Sequence, residues 1–224
     1  MGGAIGQVLP MAVGVALSPL PIIAVILMLV TKQARVNGPM FVIGWLIGLA
    51  IIGIVVIGVL GGAGSGSGET ATWILWLEAV LGGLLLLVAA RQFRGRPHDG
   101  ETAPTPAWMG AVDSFTPAKS LGAAALLSGL NPKNLLLAVG AAASIVATGL
   151  PTSEQAIAYT VFALIATVGV ATPVVIYFAL GDRAPAVLER MKGWMGQHNA
   201  VIMAVLCLVI GVKLLGQAMG GLTA

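Results

Sequence analysis

Apolar residues run along this chain in long blocks, interrupted by short clusters of glycine, proline and charge. Six blocks are long enough for helices that cross a bilayer, at residues 5–31, 39–61, 71–90, 119–147, 155–180 and 199–219. GGAGSGSGE, after the second block, reads as a flexible loop. RQFRGRPHDGETAPTPAWMG, after the third, is the longest polar stretch and poor core material. Between the last two blocks, Val187, Leu188, Met191, Trp194 and Met195 share one helical face. That spacing fits a short helix lying on the membrane surface, or an extension of a neighbouring span. The pattern predicts an all-α integral membrane protein with six transmembrane helices.

Charge orders these blocks. The 224 residues are 58% hydrophobic and only 8% charged, against about 25% charged in soluble domains. The first, third and fifth connections hold Lys32, Arg35, Arg91, Arg94, Arg96, Arg183, Arg190 and Lys192, with Lys119 just beyond the third. The second and fourth carry only acids, Glu69 and Glu154. Basic connections stay in the cytoplasm, so both termini are expected outside. The first 30 residues lack a basic start and their apolar run is too long for a signal sequence. A lone cysteine, Cys207, excludes an internal disulfide and a dithiol relay, and packing is its expected role. His98 and His198 lie in polar connections, so no histidine metal cluster is expected. Nothing in the chain points to a cofactor or a nucleic-acid partner.

Two blocks carry their least oil-compatible residues near the middle. GLNPKNLLLAVG (129–140) sets Asn131, Pro132, Lys133 and Asn134 inside the overlong fourth block. Proline breaks a continuous helix but suits its first turn, and asparagine is a good cap just before it. A helix start at mid-membrane is the expected result. ALSPLPIIAV repeats the arrangement in the first block, with Ser18 as the cap before Pro19 and Pro21. Aligning the two breaks suggests a three-helix repeat at 1–90, a cytoplasmic connection at 91–118 and a second three-helix repeat at 119–224. An odd number of spans per repeat inverts the second copy. Two helix N-termini would then meet near the midplane, each with unpaired N–H groups and partial positive charge. Lys133 adds a full charge, and a central charge costs at least about 2.5–3.5 kcal/mol and marks function.

Glu78 is the acidic residue inside a span, and either Lys133 or Lys213 is available to it. It reads as a fixed ion-pair partner or as a proton-coupling carboxylate. Lys213, near the outer end of its span, is expected to snorkel. Gly44 and Gly48 form a G-x-x-x-G for close packing, within the subunit or across a homodimer. Thr167, Thr172 and Pro173 fit either a pathway or packing.

SPLPIIAVILML, RQFRGRP and FTPAKSLGAAALLSGLNPKNLLLAVGAAAS, in that order and spacing, resemble the GAP family of glycolipid-addressing (Sap-like) membrane proteins of actinobacteria, within the LysE exporter superfamily. Asn131-Pro132-Lys133 matches the Asn-Pro-Lys that opens that superfamily's fourth span. The resemblance implies a multi-pass protein of the bacterial cytoplasmic (inner) membrane with a three-plus-three inverted repeat, linked to export of lipids or small solutes. Amino-acid exporters of the superfamily carry Pro-Gly-Pro in the first span. Here Leu20 separates the prolines and blocks close backbone approach, which weakens the case for an amino-acid substrate and leaves a lipid-like one open.

The leading expectation is therefore a secondary exporter, not an enzyme, since no P-loop and no nucleophile–base pair occurs in the chain. It would move a small or lipid-like solute with an anionic headgroup, in contact with membrane lipids. The substrate-binding residues expected are Ser18, Pro19, Pro21, Asn131, Pro132, Lys133 and Asn134. A non-transporting scaffold for glycolipid synthesis or export is the alternative. An amino-acid or cation exporter is disfavoured, the latter because Glu78 is a lone carboxylate beside a repelling lysine.

Overall fold

The computed structural model describes residues 1–63, 72–95 and 115–223. Most of the Gly/Ser loop and of the long polar connection, with Glu69, Arg96 and His98, lies outside the described residues, the first three residues of the loop ending a helix instead. Among the described residues every regular element is helical: α1 (Gly2–Ala16), α2 (Pro19–Met28), α3 (Ala34–Ala63), α4 (Thr72–Arg94), α5 (Pro117–Leu130), α6 (Pro132–Val146), α7 (Thr152–Leu180) and α8 (Ala184–Thr223), with a 3-10 turn at Gly181–Arg183 joining the last two.

Proline placement decides which blocks break. Pro10 and Pro173 are absorbed inside α1 and α7, whereas Pro19 and Pro132 each open a new helix. Ser18 and Asn131, just before them, hold extended backbone with ψ of 108° and 114°. Residues preceding proline are pushed to that region by its ring. The first block accordingly bends by 50° between α1 and α2. Ala34–Leu60, Thr72–Arg94 and the helical stretch Thr152–Thr223 are long and apolar enough to cross a membrane, and the bent pair α1–α2 makes a fourth candidate. The protein is a multi-pass membrane protein by that measure. The amphipathic stretch before the sixth block is not a separate helix. It continues into α8, whose 40 residues span about 60 Å against a hydrocarbon core of about 30 Å.

Small residues set the helix pairing. A Cβ on Gly44 would fall 2.1 Å from the Leu121 carbonyl oxygen, and one on Gly48 would fall 2.6 Å from that of Ala125. The G-x-x-x-G of α3 is therefore spent within the subunit, on α5, with the two helices running parallel. Gly169 plays the same part for α7 on α1, its Cβ position only 1.8 Å from the Ala16 carbonyl oxygen. Met1 lies beside Glu154 at 3.9 Å, so α1 and α7 also run parallel. The α4–α8 pair crosses where Gly82 and Gly211 meet, and Leu75 meets Gly221 near its end, an antiparallel arrangement. α3 and α7 are antiparallel too, with Gly38 against Val174 and Gly53 against Tyr159. Ile210 of α8 packs at Gly14 while Lys213 reaches Gln7, so α8 runs against α1 and hence against α7. The chain reverses at Gly181, whose positive φ of 50° suits glycine. The described ends of the chain, Met1 and Gly221, thus share one end of the bundle with the α6–α7 connection. Thr167 and Thr172 bond back to the carbonyls of Ala163 and Val168 in their own helix.

Backbone oxygens cannot yield to a new side chain, so Gly169→Leu should drive α1 from α7. The cost expected is at least about 1–3 kcal/mol of overpacking, read as a lower thermal midpoint in detergent. Gly58→Ala, where an added Cβ meets nothing within 4 Å, should stay within about 0.5 kcal/mol of the parent. Equal midpoints for the two variants would refute this packing.

Candidate functional site

The breaks meet. Ser18 sits at the N-cap of α2, yet its side chain caps nothing in its own helix. A capping oxygen accepts from the N–H of the second or third helical residue, and here the third is Pro21, which has none. The Ser18 hydroxyl instead donates to Asn134 Oδ1 in the first turn of α6, at 2.6 Å. Asn131 caps α6 as expected, its Oδ1 accepting from the Lys133 N–H at 3.2 Å. Pro19, Pro21, Lys133 and Asn134 are buried, while Pro132 faces outward and Asn131 is half-buried.

Lys133 is 1% exposed and its Nζ donates to the Gly14 carbonyl oxygen at 2.7 Å. That acceptor follows from the break in α1. Pro19 has no N–H for the Val15 carbonyl, and the Ser18 N–H turns to Val15 instead, at 3.1 Å. Leu17 keeps Val13, so the Gly14 carbonyl is left without a donor from its own helix. Lys133 supplies one from α6. Gly14 was not legible as a site residue from side-chain chemistry. The signal was positional, one turn upstream of a proline.

Donors exceed acceptors in this seam. Asn134 Nδ2 is buried without a partner, and a lysine ammonium has three donors of which one is used here. Among the described residues the ion pairs are Met1 with Glu154 and Lys192 with Glu189, so Lys133 is a buried cation without an acid. A group rich in acceptor oxygens is what such a set would hold.

Glu78 belongs elsewhere. It is 2% exposed and accepts from Ser144 Oγ at 2.6 Å. Ser144 stands eleven residues beyond Lys133 on α6, about 16 Å along the helix. Among the described residues neither Lys133 nor Lys213 forms an ion pair with Glu78. Lys213 donates to the main-chain carbonyl of Gln7 instead of reaching out to the membrane surface. A cavity of about 230 Å³ lies here, lined by Gln7, Leu75, Glu78, Ala147, Thr148 and Gln217. Gln7, Ser144 and Gln217 come from three helices and Thr148 from the turn after α6, and no local pattern announces them. Lys133 and Glu78 thus belong to two separate centres, one at the breaks and one at the terminus end.

The family model described as "Sap, sulfolipid-1-addressing protein" matches residues 8–220. No curated protein and no solved structure matches the chain.

If the Ser18–Asn134 bond couples the two breaks, a double-mutant cycle of Ser18→Ala and Asn134→Ala will return a coupling of about 0.5–1.5 kcal/mol in detergent unfolding. Strict additivity of the two losses would show that the breaks are held independently.

Proposed function

The chain belongs to the family of sulfolipid-1-addressing (Sap) proteins, and from that premise we propose that it is a secondary exporter of a lipid with an anionic headgroup. The headgroup would bind where α2 and α6 begin, on Lys133, Asn134 and Ser18. The observation that carries this reading is the surplus of buried donors in that seam, Asn134 Nδ2 foremost. A sulfated or otherwise acidic headgroup offers the several acceptor oxygens that would satisfy them.

We read the architecture as six crossings in two inverted repeats, 1–90 and 119–224, joined through 91–118. Exchange of the halves carries α3-on-α5 into α7-on-α1, with both pairs parallel and glycine-mediated. It carries α2-on-α8 into α6-on-α4 and leaves α4-on-α8 and α3-on-α7 unchanged. That correspondence supports the repeat. Basic connections at Lys32, Arg91, Arg94 and Arg183 support a cytoplasmic assignment for that end, with the termini outside an inner membrane. The LysE superfamily, with its alternating halves, is the wider setting this reading implies.

Glu78 takes the part of the proton-coupling carboxylate. It is buried, lines a cavity at the terminus end, and accepts a hydrogen bond from Ser144. A scaffold that moves nothing is the second reading, favoured by the exposed Arg91 and Arg94 at the basic end, where partners or anionic headgroups would dock.

Purified protein in liposomes separates the two. Lys133→Met should remove efflux of an anionic lipid probe while Lys133→Arg retains part of it, and unimpaired efflux in the methionine variant would unseat the headgroup site. A parent protein that moves no probe favours the scaffold. Glu78→Gln should leave downhill exchange running but abolish its response to an imposed pH gradient. An unchanged response would return Glu78 to a structural role.

A further inference from the structure

A cleft of about 490 Å³ lies between the second half of α3 and the first half of α7. It owes its depth to small residues on both walls: Ala50, Gly53 and Gly58 on one, Ala156 and Ala163 on the other. Ile54 and Leu164 stand up as its rims, 73% and 57% exposed. Its floor is fixed. The Tyr159 ring lies against Gly53, where a Cβ would come within 2.2 Å of it, and the Tyr159 hydroxyl donates to the Leu49 carbonyl at 3.1 Å.

Among the described residues, no charged side chain lines the cleft. Of its three hydroxyls, Tyr159 is bonded to Leu49 and Thr160 donates to the Ala156 carbonyl in its own helix at 2.8 Å, while Thr152 stands at the end of the cleft, on the first residue of α7. The walls therefore offer little to a headgroup or to water, and an apolar cavity of this kind stays dry. Both walls belong to helices that qualify as membrane spans, so hydrocarbon is the medium the cleft faces. The lining runs from Leu46 to Gly58 on α3 and from Thr152 to Leu164 on α7. That is about 18 Å of helix, a little over half of a hydrocarbon core of about 30 Å. It also occupies one half of the bundle, the half nearest the chain termini and farthest from the basic connections.

We propose that this cleft binds one acyl chain of the carried lipid, in the leaflet on the terminus side. The identification of the occupant as substrate rests on the exporter reading above. The shape, length and chemistry of the cleft carry its preference for a single hydrocarbon chain. A lipid whose headgroup leaves the seam between α2 and α6 would find its chain a lateral berth between α3 and α7.

The test uses the full chain in nanodiscs containing phosphatidylglycerol with a photoreactive diazirine in one acyl chain, and maps adducts by mass spectrometry. Adducts should concentrate on 46–58 and 152–164 over the equally lipid-facing Val205, Leu208, Val209 and Val212 of α8. Gly58→Phe places its ring in open space, since a Cβ there meets no atom within 4 Å. It should lower labelling of the cleft by roughly tenfold, equivalent to about 1.4 kcal/mol. Gly58→Leu serves if the phenylalanine variant does not fold, which elution profile and circular dichroism will report. Labelling spread evenly over the lipid-facing surface would mean ordinary annular lipid and overturn the proposal. Copy-to-copy crosslinks through this face would overturn it in favour of a dimer contact. A protein that labels here but exports nothing keeps the acyl site and loses only the exporter reading. Efflux that persists without focused labelling removes the site alone.

Discussion

A main-chain carbonyl without a donor, deep in an apolar bundle, is the constraint from which the centre of this protein follows. Two prolines at 19 and 21 end α1, and the shift of the Ser18 N–H to Val15 strands the Gly14 oxygen. An unpaired buried polar group costs on the order of 1–3 kcal/mol, and hydrocarbon offers no water to relieve it. The donor comes from the opposite half of the chain, as the ammonium of Lys133. One contact thus answers two liabilities, a stranded carbonyl and a buried cation. It also explains why the lysine stands at the second residue of α6, where the tip of that helix reaches the gap in the first block.

Such a contact needs the two broken blocks held in register to within a few tenths of an ångström. Glycine crossings do this on both sides. Gly169 of α7 meets the Ala16 carbonyl just before the first break, and Gly48 of α3 meets Ser128 just before the second. Each unbroken helix therefore braces the break of the other half at the point where the chain is weakest. Ser18, which caps nothing in its own helix, completes the link by donating to Asn134. Of the buried side chains at the breaks, Asn134 and Lys133 keep spare donors.

The helices and the two breaks were legible because their causes are local. Proline geometry, asparagine capping and block length act within a few residues, and α2 and α6 start at the prolines expected. Ser18 was read as a cap and is not one: Pro21 removes one of the two N–H groups open to it, and its hydroxyl donates across the bundle instead. Its actual partner lies 116 residues away. The same distance hid Ser144 from Glu78 and Gln7 from Lys213: long-range pairing is decided by helix packing, which leaves no mark near the residues paired. The Gly44–Gly48 motif announced close approach but not its partner, and α5 proved to be that partner. The amphipathic stretch at 184–198 carried a surface-helix pattern, yet no breaker separates it from the sixth block, so α8 simply continues.

The arrangement at the breaks has a mechanical consequence for the exporter reading. The Lys133 ammonium binds the Gly14 carbonyl in the closed bundle, and an anionic headgroup would compete for that same ammonium. A ligand moves a conformational equilibrium only by binding its two states unequally. Here the inequality is built in: the headgroup gains most when Lys133 has left Gly14, and α1 is then held to α6 by one polar tie fewer. Binding energy is thereby directed at the contact that keeps the halves together. The stranded carbonyl favours return once the headgroup has gone, because in an apolar interior it has no other donor. A proline pair that leaves a carbonyl unpaired at mid-bundle is thus both the reason Lys133 is buried and the means by which its release would open the bundle.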